Sequence, residues 1–342
     1  MAFITLNKAH LFHNLDLLCA KAGGKHKVMA VLKDNAYGHG LEIMASLIHA
    51  YGIRKIAVKN LQEARLVSSL FDETLVLVEH PTCKEVPSNV SLAIHSYESL
   101  LCLERGSSLH VALDTGMHRN GIKEDEIEKT LEYVAHKGLV LKGMFTHFRS
   151  ADELSSDFFW QRRAFESVKA KTKLLLDTLR LPPIAFHACN SAGLLRSHSL
   201  GSDDFARCGI SLYGYTTLSP LIGHYDLLPV LSLWGERLST RVLKKGERVG
   251  YGGVYEASHD EVISTYDVGY GDGFFRFDGH EPVVMTNGQK SKGKMSMDSF
   301  CLGGEADEVC LFNDANALAQ QFKTINYEII TKLSPSLKRI VI

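Results

Sequence analysis

Val31-Leu32-Lys33-Asp34-Asn35-Ala36-Tyr37-Gly38-His39-Gly40 is the stretch on which the reading of this chain turns. The run leading into it, Lys27–Leu32, is short, apolar and β-prone, and reads as a buried strand. Lys33 stands at that strand's carboxyl end, ahead of a polar loop punctuated by glycine. A lysine there has two readings. It can snorkel to the rim with its ammonium in water. Alternatively it can form a Schiff base, because an amine held in a partly apolar site becomes nucleophilic. Position alone leaves both open.

Downstream, short apolar runs alternate with helical patterns. With Lys27–Leu32 first, the candidate strands continue at Lys55–Val58, Leu75–Glu79, Ser91–Ile94, Leu109–Leu113, Leu139–Thr146, Ile184–Ala188 and Asp204–Arg207. Helical patterns fall between several of them, at Leu61–Leu70, Tyr97–Arg105, Glu124–Lys137 and Ser156–Leu179. Eight strands alternating with helices suit a (β/α)8 barrel better than an open doubly wound sheet.

Near residue 220 the alternation stops. Thr216–Tyr225 is loop-like, and strand material with turns follows: Val230–Thr240, Val262–Val268, and Val283–Met285 before an Asn287-Gly288 turn. Val309–Phe312 and Asn326–Ile330 read as further strands, with one short helix at Asn316–Phe322. The expected organisation is a barrel over 1–220 and a mostly β C-terminal domain over 221–342. Phe3–Leu6 precedes the barrel strands and is a candidate partner for that second domain.

The chain has 342 residues and a net charge of −1, so no global field favours nucleic acid or an anionic membrane. No segment approaches the roughly 20 apolar residues of a membrane span, and the amino terminus lacks a basic run followed by an apolar one. Cys19, Cys83, Cys102, Cys189, Cys208, Cys301 and Cys310 are odd in number and form no CxxC pair, as expected of reduced thiols in the cytoplasm. Histidine and cysteine spacings match no zinc site, so no metal is expected.

Barrel chemistry gathers where strands end, and phosphate often binds after the seventh and eighth. The assigned strand ends carry Lys33, the Asp114–Arg119 loop, Thr146-His147-Phe148, His187–Ser191 and Arg207–Ile210. Ser191 and the Gly209 and Ile210 amides suit a phosphate. A lysine facing such a site points to pyridoxal phosphate.

With these residues in view, the chain resembles the alanine racemases. Val31–Gly40 is similar to that family's cofactor-lysine signature. The likeness continues through Asp114–Arg119, Thr146–Phe148, His187–Ser191, Arg207–Gly214, Gly250-Tyr251-Gly252, Gly269–Gly273, Ser296-Met297-Asp298 and Thr324–Glu328, with 19 positions from Tyr251 to Tyr270. The resemblance implies a (β/α)8 barrel followed by a mostly β domain, pyridoxal phosphate on Lys33, and interconversion of L- and D-alanine in a homodimer. It implies two bases, Lys33 and the partner subunit's Tyr251, on opposite faces of a planar carbanion. A free phenol titrates near pH 10, so Tyr251 needs positive neighbours or hydrogen bonds to work at neutral pH. Without the resemblance, Tyr251 reads as an ordinary tyrosine beside a glycine turn.

Other roles follow from the same likeness. Arg207 faces the pyridine nitrogen, which stays unprotonated because an arginine does not readily yield its proton. His147 packs against the ring, and His187 orients the arginine; either could otherwise be a satisfied core histidine. Tyr37, Ser191, Gly209, Ile210 and Tyr327 hold the phosphate. Arg119 and the partner subunit's Met297 meet the substrate carboxylate, and Tyr270 belongs to the narrow mouth of the site. Asp272 and Asp298 are expected to be structural.

Three positions depart from the family pattern. Ala112 stands where many relatives carry a lysine that positions the arginine corresponding to Arg119. Asp34 replaces a small residue beside Lys33, adding negative charge. His118 replaces a glycine beside Arg119. Rival readings are a racemase of this fold acting on serine or a broader set of amino acids, and a single-barrel cofactor carrier without catalysis.

Overall fold

The computed structural model describes residues 1–80 and 86–342, so Cys83 lies outside the described residues. Eight parallel strands form one curved sheet: β2 (Val28–Val31), β3 (Lys55–Val58), β4 (Glu73–Val76), β5 (Val90–Ile94), β6 (Ser108–Ala112), β7 (Val140–Phe145), β8 (Ala185–His187) and β9 (Ala206–Cys208), numbered after an amino-terminal β1 (Phe3–Leu6). Each pairs with its neighbour in sequence, and β9 returns to pair with β2. All eight runs expected from the sequence are strands, shifted by one to three residues at several ends.

The remaining seam, between β8 and β9, closes through single bonds. Asp204 N donates to Phe186 O at 2.8 Å, and Arg207 N to Cys189 O at 2.8 Å. A buried ion pair reinforces it. Lys169, on the helix Asp157–Thr178, reaches Asp203 at 2.8 Å, whose other oxygen accepts from Ala188 N at 3.1 Å. Removing either charge strands the other in the core, so the pair specifies closure more than it stabilises it.

Beyond the barrel, β10 (Leu231–Leu243) is the spine of a second, mostly antiparallel sheet with Glu261–Tyr266, Glu308–Phe312, Phe300–Gly303 and Ser291–Lys292. β1 joins this sheet rather than the barrel. It runs antiparallel to β10 (Phe3 opposite Trp234, Leu6 opposite Leu231) and parallel to the last strand, Lys338–Val341. Asn287-Gly288 turns a tight hairpin in which Met285 N bonds Gln289 O at 2.8 Å.

One expected strand is a helix. Asn326–Thr331 is α-helical, and the buried residues are Asn326, Ile329 and Ile330, at helical rather than alternate spacing. Glu328 sits outside and pairs with Lys332 one turn on. The β-branched pair Ile329-Ile330 looked strand-like only because both side chains are needed against the core. Among the described residues, no helix is long and apolar enough to cross a membrane, and no His/Cys/Asp/Glu group could hold a metal ion.

Candidate active site

The loop expected after Lys33 is a compact left-handed turn. Asp34, Asn35, Ala36 and Tyr37 have φ of +56°, +55°, +51° and +52°. Left-handed backbone costs an L-residue about 1–2 kcal/mol, least for Asn and Asp. Tertiary bonds offset this cost. Glu63 accepts from Asn35 N at 2.9 Å and from Lys59 N at 2.7 Å, and Asn35 Oδ1 accepts from Leu41 N at 2.9 Å. The negative charge of Asp34 is met by Lys59 Nζ at 2.6 Å. The turn leaves Tyr37 buried, its ring 4.9 Å from Tyr213 and 6.0 Å from Tyr327.

Lys33 opens into a cavity of about 570 Å³ at the carboxyl ends of the strands. Arg119, His147 and Arg207 line it with Lys33, so it favours an anion. Tyr37, Ser191, Gly209, Ile210 and Tyr327 line the same cavity. Ser191 Oγ accepts from Gly209 N at 3.0 Å, its own proton remaining available to donate. A Cβ at Gly209 would fall 2.5 Å from the Tyr37 hydroxyl, so only glycine admits that approach. Burial raises Tyr37 and pushes Tyr327 up to about 12, which keeps both phenols protonated as donors.

Arg207 is buried behind this cradle, on β9. Nη1 donates to His187 Nδ1 at 2.7 Å and to His187 O at 2.8 Å, and Nη2 donates to Thr146 O at 2.6 Å. Nε–H has no protein partner among the described residues, in a side chain that lines the cavity. Burial pushes Arg207 down to about 10, so it remains a cation at neutral pH. His187 does not line the cavity. It is stacked between Phe145 at 5.1 Å and Phe205 at 4.4 Å. Burial first, then the charge of Arg207, holds its imidazole neutral, and His147 is driven down to about 3 by burial and then by Arg207. From His187 the polar chain continues to His110 and Glu73, which the sequence reading passed over. Their only sequence signal is a glutamate opening one short strand and a histidine in the middle of another.

Tyr251, Tyr270 and Met297 lie outside this cavity, in the C-terminal part of the chain. Tyr251 is 71% exposed and Met297 55%. Tyr251 tops a hairpin of Arg248–Val249 and Tyr255–Glu256. The hairpin is clamped from below, where Lys292 Nζ donates to Tyr255 Oη at 2.6 Å and to Glu261 at 2.7 Å. The loops of Tyr270 and Met297 are joined by Gly271 N donating to Met297 O at 2.8 Å. All three side chains are exposed, and none lines the cavity.

The Arg119 loop is organised without a lysine at position 112. Asp114 accepts from Gly116 N and His118 N, both at 3.0 Å, and from the His118 ring at 3.1 Å. Arg149 Nη1 donates to Gly116 O at 2.9 Å. His118 takes a left-handed φ of +54°, which accounts for a glycine serving elsewhere at this position. The Arg119 side chain is exposed, lines the cavity and has no hydrogen-bond partner among the described residues.

Comparisons with known proteins place this architecture. Residues 6–217 match the alanine racemase N-terminal domain family and residues 230–341 the alanine racemase C-terminal domain family. The alanine racemase of a Nitratiruptor species is 46% identical over 340 residues, covering 99% of each chain. The fold is shared with the alanine racemase of Clostridium difficile 630, at a TM-score of 0.86 and 24% identity, over 100% of this chain and 95% of that one. It also matches a histidine racemase from Leuconostoc mesenteroides subsp. sake, at a TM-score of 0.84 and 25% identity, over 100% and 98% of the two chains.

Proposed function

The chain belongs to the alanine racemase family, and on that premise we propose that it interconverts L- and D-alanine with pyridoxal phosphate in a cytoplasmic homodimer. Its product would be D-alanine for peptidoglycan. We divide it into two domains near residue 220. The observation that carries the reading is the rim itself. Lys33, the buried Arg207 with its unpartnered Nε–H, and the Tyr37–Gly209 contact share one cavity rich in positive charge.

These residues fit the cofactor. Lys33 would hold it covalently; Tyr37, Ser191, Tyr327 and the Gly209 and Ile210 amides would take its phosphate; His147, neutral, would pack on its ring; Arg207 Nε–H would meet its ring nitrogen. When bound, pyridoxal phosphate supplies an electron-withdrawing ring that acidifies the substrate Cα. Arg207 keeps its proton and moderates that withdrawal, favouring return of the Cα proton over side reactions. Arg119 and the partner's Met297 would meet the substrate carboxylate, and Tyr270 would narrow the approach. Lys33 and the partner's Tyr251 would act from opposite faces, one taking the Cα proton while the other supplies one.

Subunit mixing tests this arrangement. Lys33→Ala and Tyr251→Phe should each be nearly inactive on L-alanine. If each site draws Lys33 from one chain and Tyr251 from the other, a re-equilibrated equal mixture should recover about a quarter of the parental activity, because half of its dimers carry one intact site. A mixture that stays inactive contradicts the shared site. The second reading is a broader amino-acid racemase, favoured by the shared fold of the histidine racemase. Turnover of serine, lysine or histidine matching that of alanine would establish it.

A further inference from the structure

The hydrogen bonds of Arg207 do not end at His187. His187 Nε2 lies 2.9 Å from His110 Nδ1, and His110 Nε2 lies 2.8 Å from Glu73 Oε1. The second oxygen of Glu73 accepts from Lys55 Nζ at 2.9 Å. Lys55 and Glu73 are register partners at the starts of β3 and β4, the end of the barrel away from the cavity. One file of polar side chains therefore crosses the barrel interior from floor to rim.

The direction of every bond follows from one fact: a guanidinium only donates. His187 Nδ1 faces Arg207 and must accept, so its single proton is on Nε2. That proton goes to His110 Nδ1, which must also accept, leaving the His110 proton on Nε2 and directed at Glu73. The carboxylate is ionised. Burial works to raise its pKa, but the hydrogen bonds from His110 and Lys55, with the charge of Lys55, overcome that and hold it below the usual carboxylate range. A cation at the rim is thus joined to an anion at the floor through two neutral imidazoles, each polarised in the same sense.

The file needs room, and β7 supplies it. Gly143 lies on the strand between β6 and β8, and a Cβ there would fall 2.5 Å from His110 Nδ1. A side chain at Gly143 would press on the His110 ring and on the Ala185 carbonyl, crowding the contact between the two histidines without replacing any member of the file.

We infer that Glu73 and His110 are positioning residues for Arg207: through the fixed tautomers of His110 and His187 they set the guanidinium's orientation and hold its proton, so that its remaining N–H is presented to the cofactor ring. The inference rests on the reading of Arg207 given above. It assigns a functional part to the floor of the barrel, which in such folds usually serves stability.

Selective ¹⁵N-histidine labelling and long-range ¹H–¹⁵N correlation, on the protein with and without pyridoxal phosphate, read the tautomers directly. His110 and His187 should both be neutral Nε2–H forms at neutral pH. An Nδ1–H form or an imidazolium at either position overturns the file. Glu73→Gln and Gly143→Ala should bind the cofactor, lower kcat by roughly 10- to 100-fold with little change in KM, and raise the fraction of turnovers that convert the cofactor to its amine form, seen as progressive loss of its visible band. Folded variants with parental kcat and parental partitioning overturn the positioning role. Arg207→Lys separates the two levels. Parental partitioning in that variant removes the assignment of Arg207 to the cofactor, whereas altered partitioning there with unchanged Glu73→Gln and Gly143→Ala removes only the file's role.

Discussion

The rim of the barrel and the C-terminal loops hold the two halves of the proposed chemistry in opposite physical states. At the rim, Arg207 is buried and bonded on both Nη atoms, and Lys33 leads into a turn held by Glu63. In the C-terminal part, Tyr251 and Met297 stand largely in solvent, Tyr251 on a hairpin clamped below by Lys292 and Met297 on a loop tied to Gly271. One half is preorganised by a single chain's core. The other stands exposed on loops of the C-terminal part. On the proposed reading, folding one chain would assemble the cofactor site, whereas proton exchange on both faces would require association.

The hardest blow to this contrast comes from the two bases. Lys33→Ala should abolish covalent cofactor attachment, read by borohydride trapping and mass, and lower racemisation by more than about 10⁴-fold. Tyr251→Phe should lower it by about 10²- to 10⁴-fold while leaving the cofactor's visible band intact. Loss of cofactor binding in Tyr251→Phe would mean that the exposed half also builds the cofactor site.

The next effect belongs to the barrel alone. His39 and His187 stay neutral in the folded protein, His39 with its pKa pushed down by burial to about 3. Unfolded, they take up protons below about pH 6.5. The unfolded state then binds more protons, so stability is intact above that pH and falls as pH falls. From about pH 7.5 to about pH 5.5 these two and His147, likewise held neutral by burial, should together cost roughly 4 kcal/mol, read as a lower urea midpoint. The drop should persist in Tyr251→Phe; its disappearance there would tie the barrel core to the exposed loops.

Smaller changes sharpen the picture at the turn itself. Glu63→Ala leaves two backbone amides unpaired and should cost about 1–3 kcal/mol and weaken cofactor binding. Lys59→Met removes only an exposed partner of Asp34 and should shift stability by no more than about 0.5 kcal/mol. Equal effects from the two would mean that charge, not backbone bonding, holds the left-handed residues.

How much could be read in advance follows the same division. The eight barrel strands were legible because parallel strands buried on both faces appear as short continuous apolar runs. The helix Lys8–Ala22 was not read, in part because Asn14 sits on its buried face, where it bonds Leu212 O and Leu228 O. The rim residues were legible through local signatures at strand ends. The left-handed turn was not, since nothing local forces Ala36 or Tyr37 to positive φ; Glu63, on the helix Leu61–Val67 that follows β3, stabilises it. Likewise Lys55, Glu73 and His110 come from three strands and meet only inside the closed barrel.

The placement of Phe3–Leu6 has a consequence for the order of synthesis. This strand is made well before either of its partners. About 225 positions separate Leu6 from Leu231 on β10, and its other neighbour, Lys338–Val341, comes later still. At ordinary translation rates the first partner emerges roughly 10 to 45 s after the strand itself. Throughout that interval Ile4 and Leu6, fully buried in the finished molecule, have no partner strand, while Lys33 can already fold into its barrel. A nascent chain stopped near residue 220 would therefore carry Lys33 and the barrel rim together with an unsatisfied, aggregation-prone β edge, and the second sheet completes only once synthesis has reached Lys338–Val341.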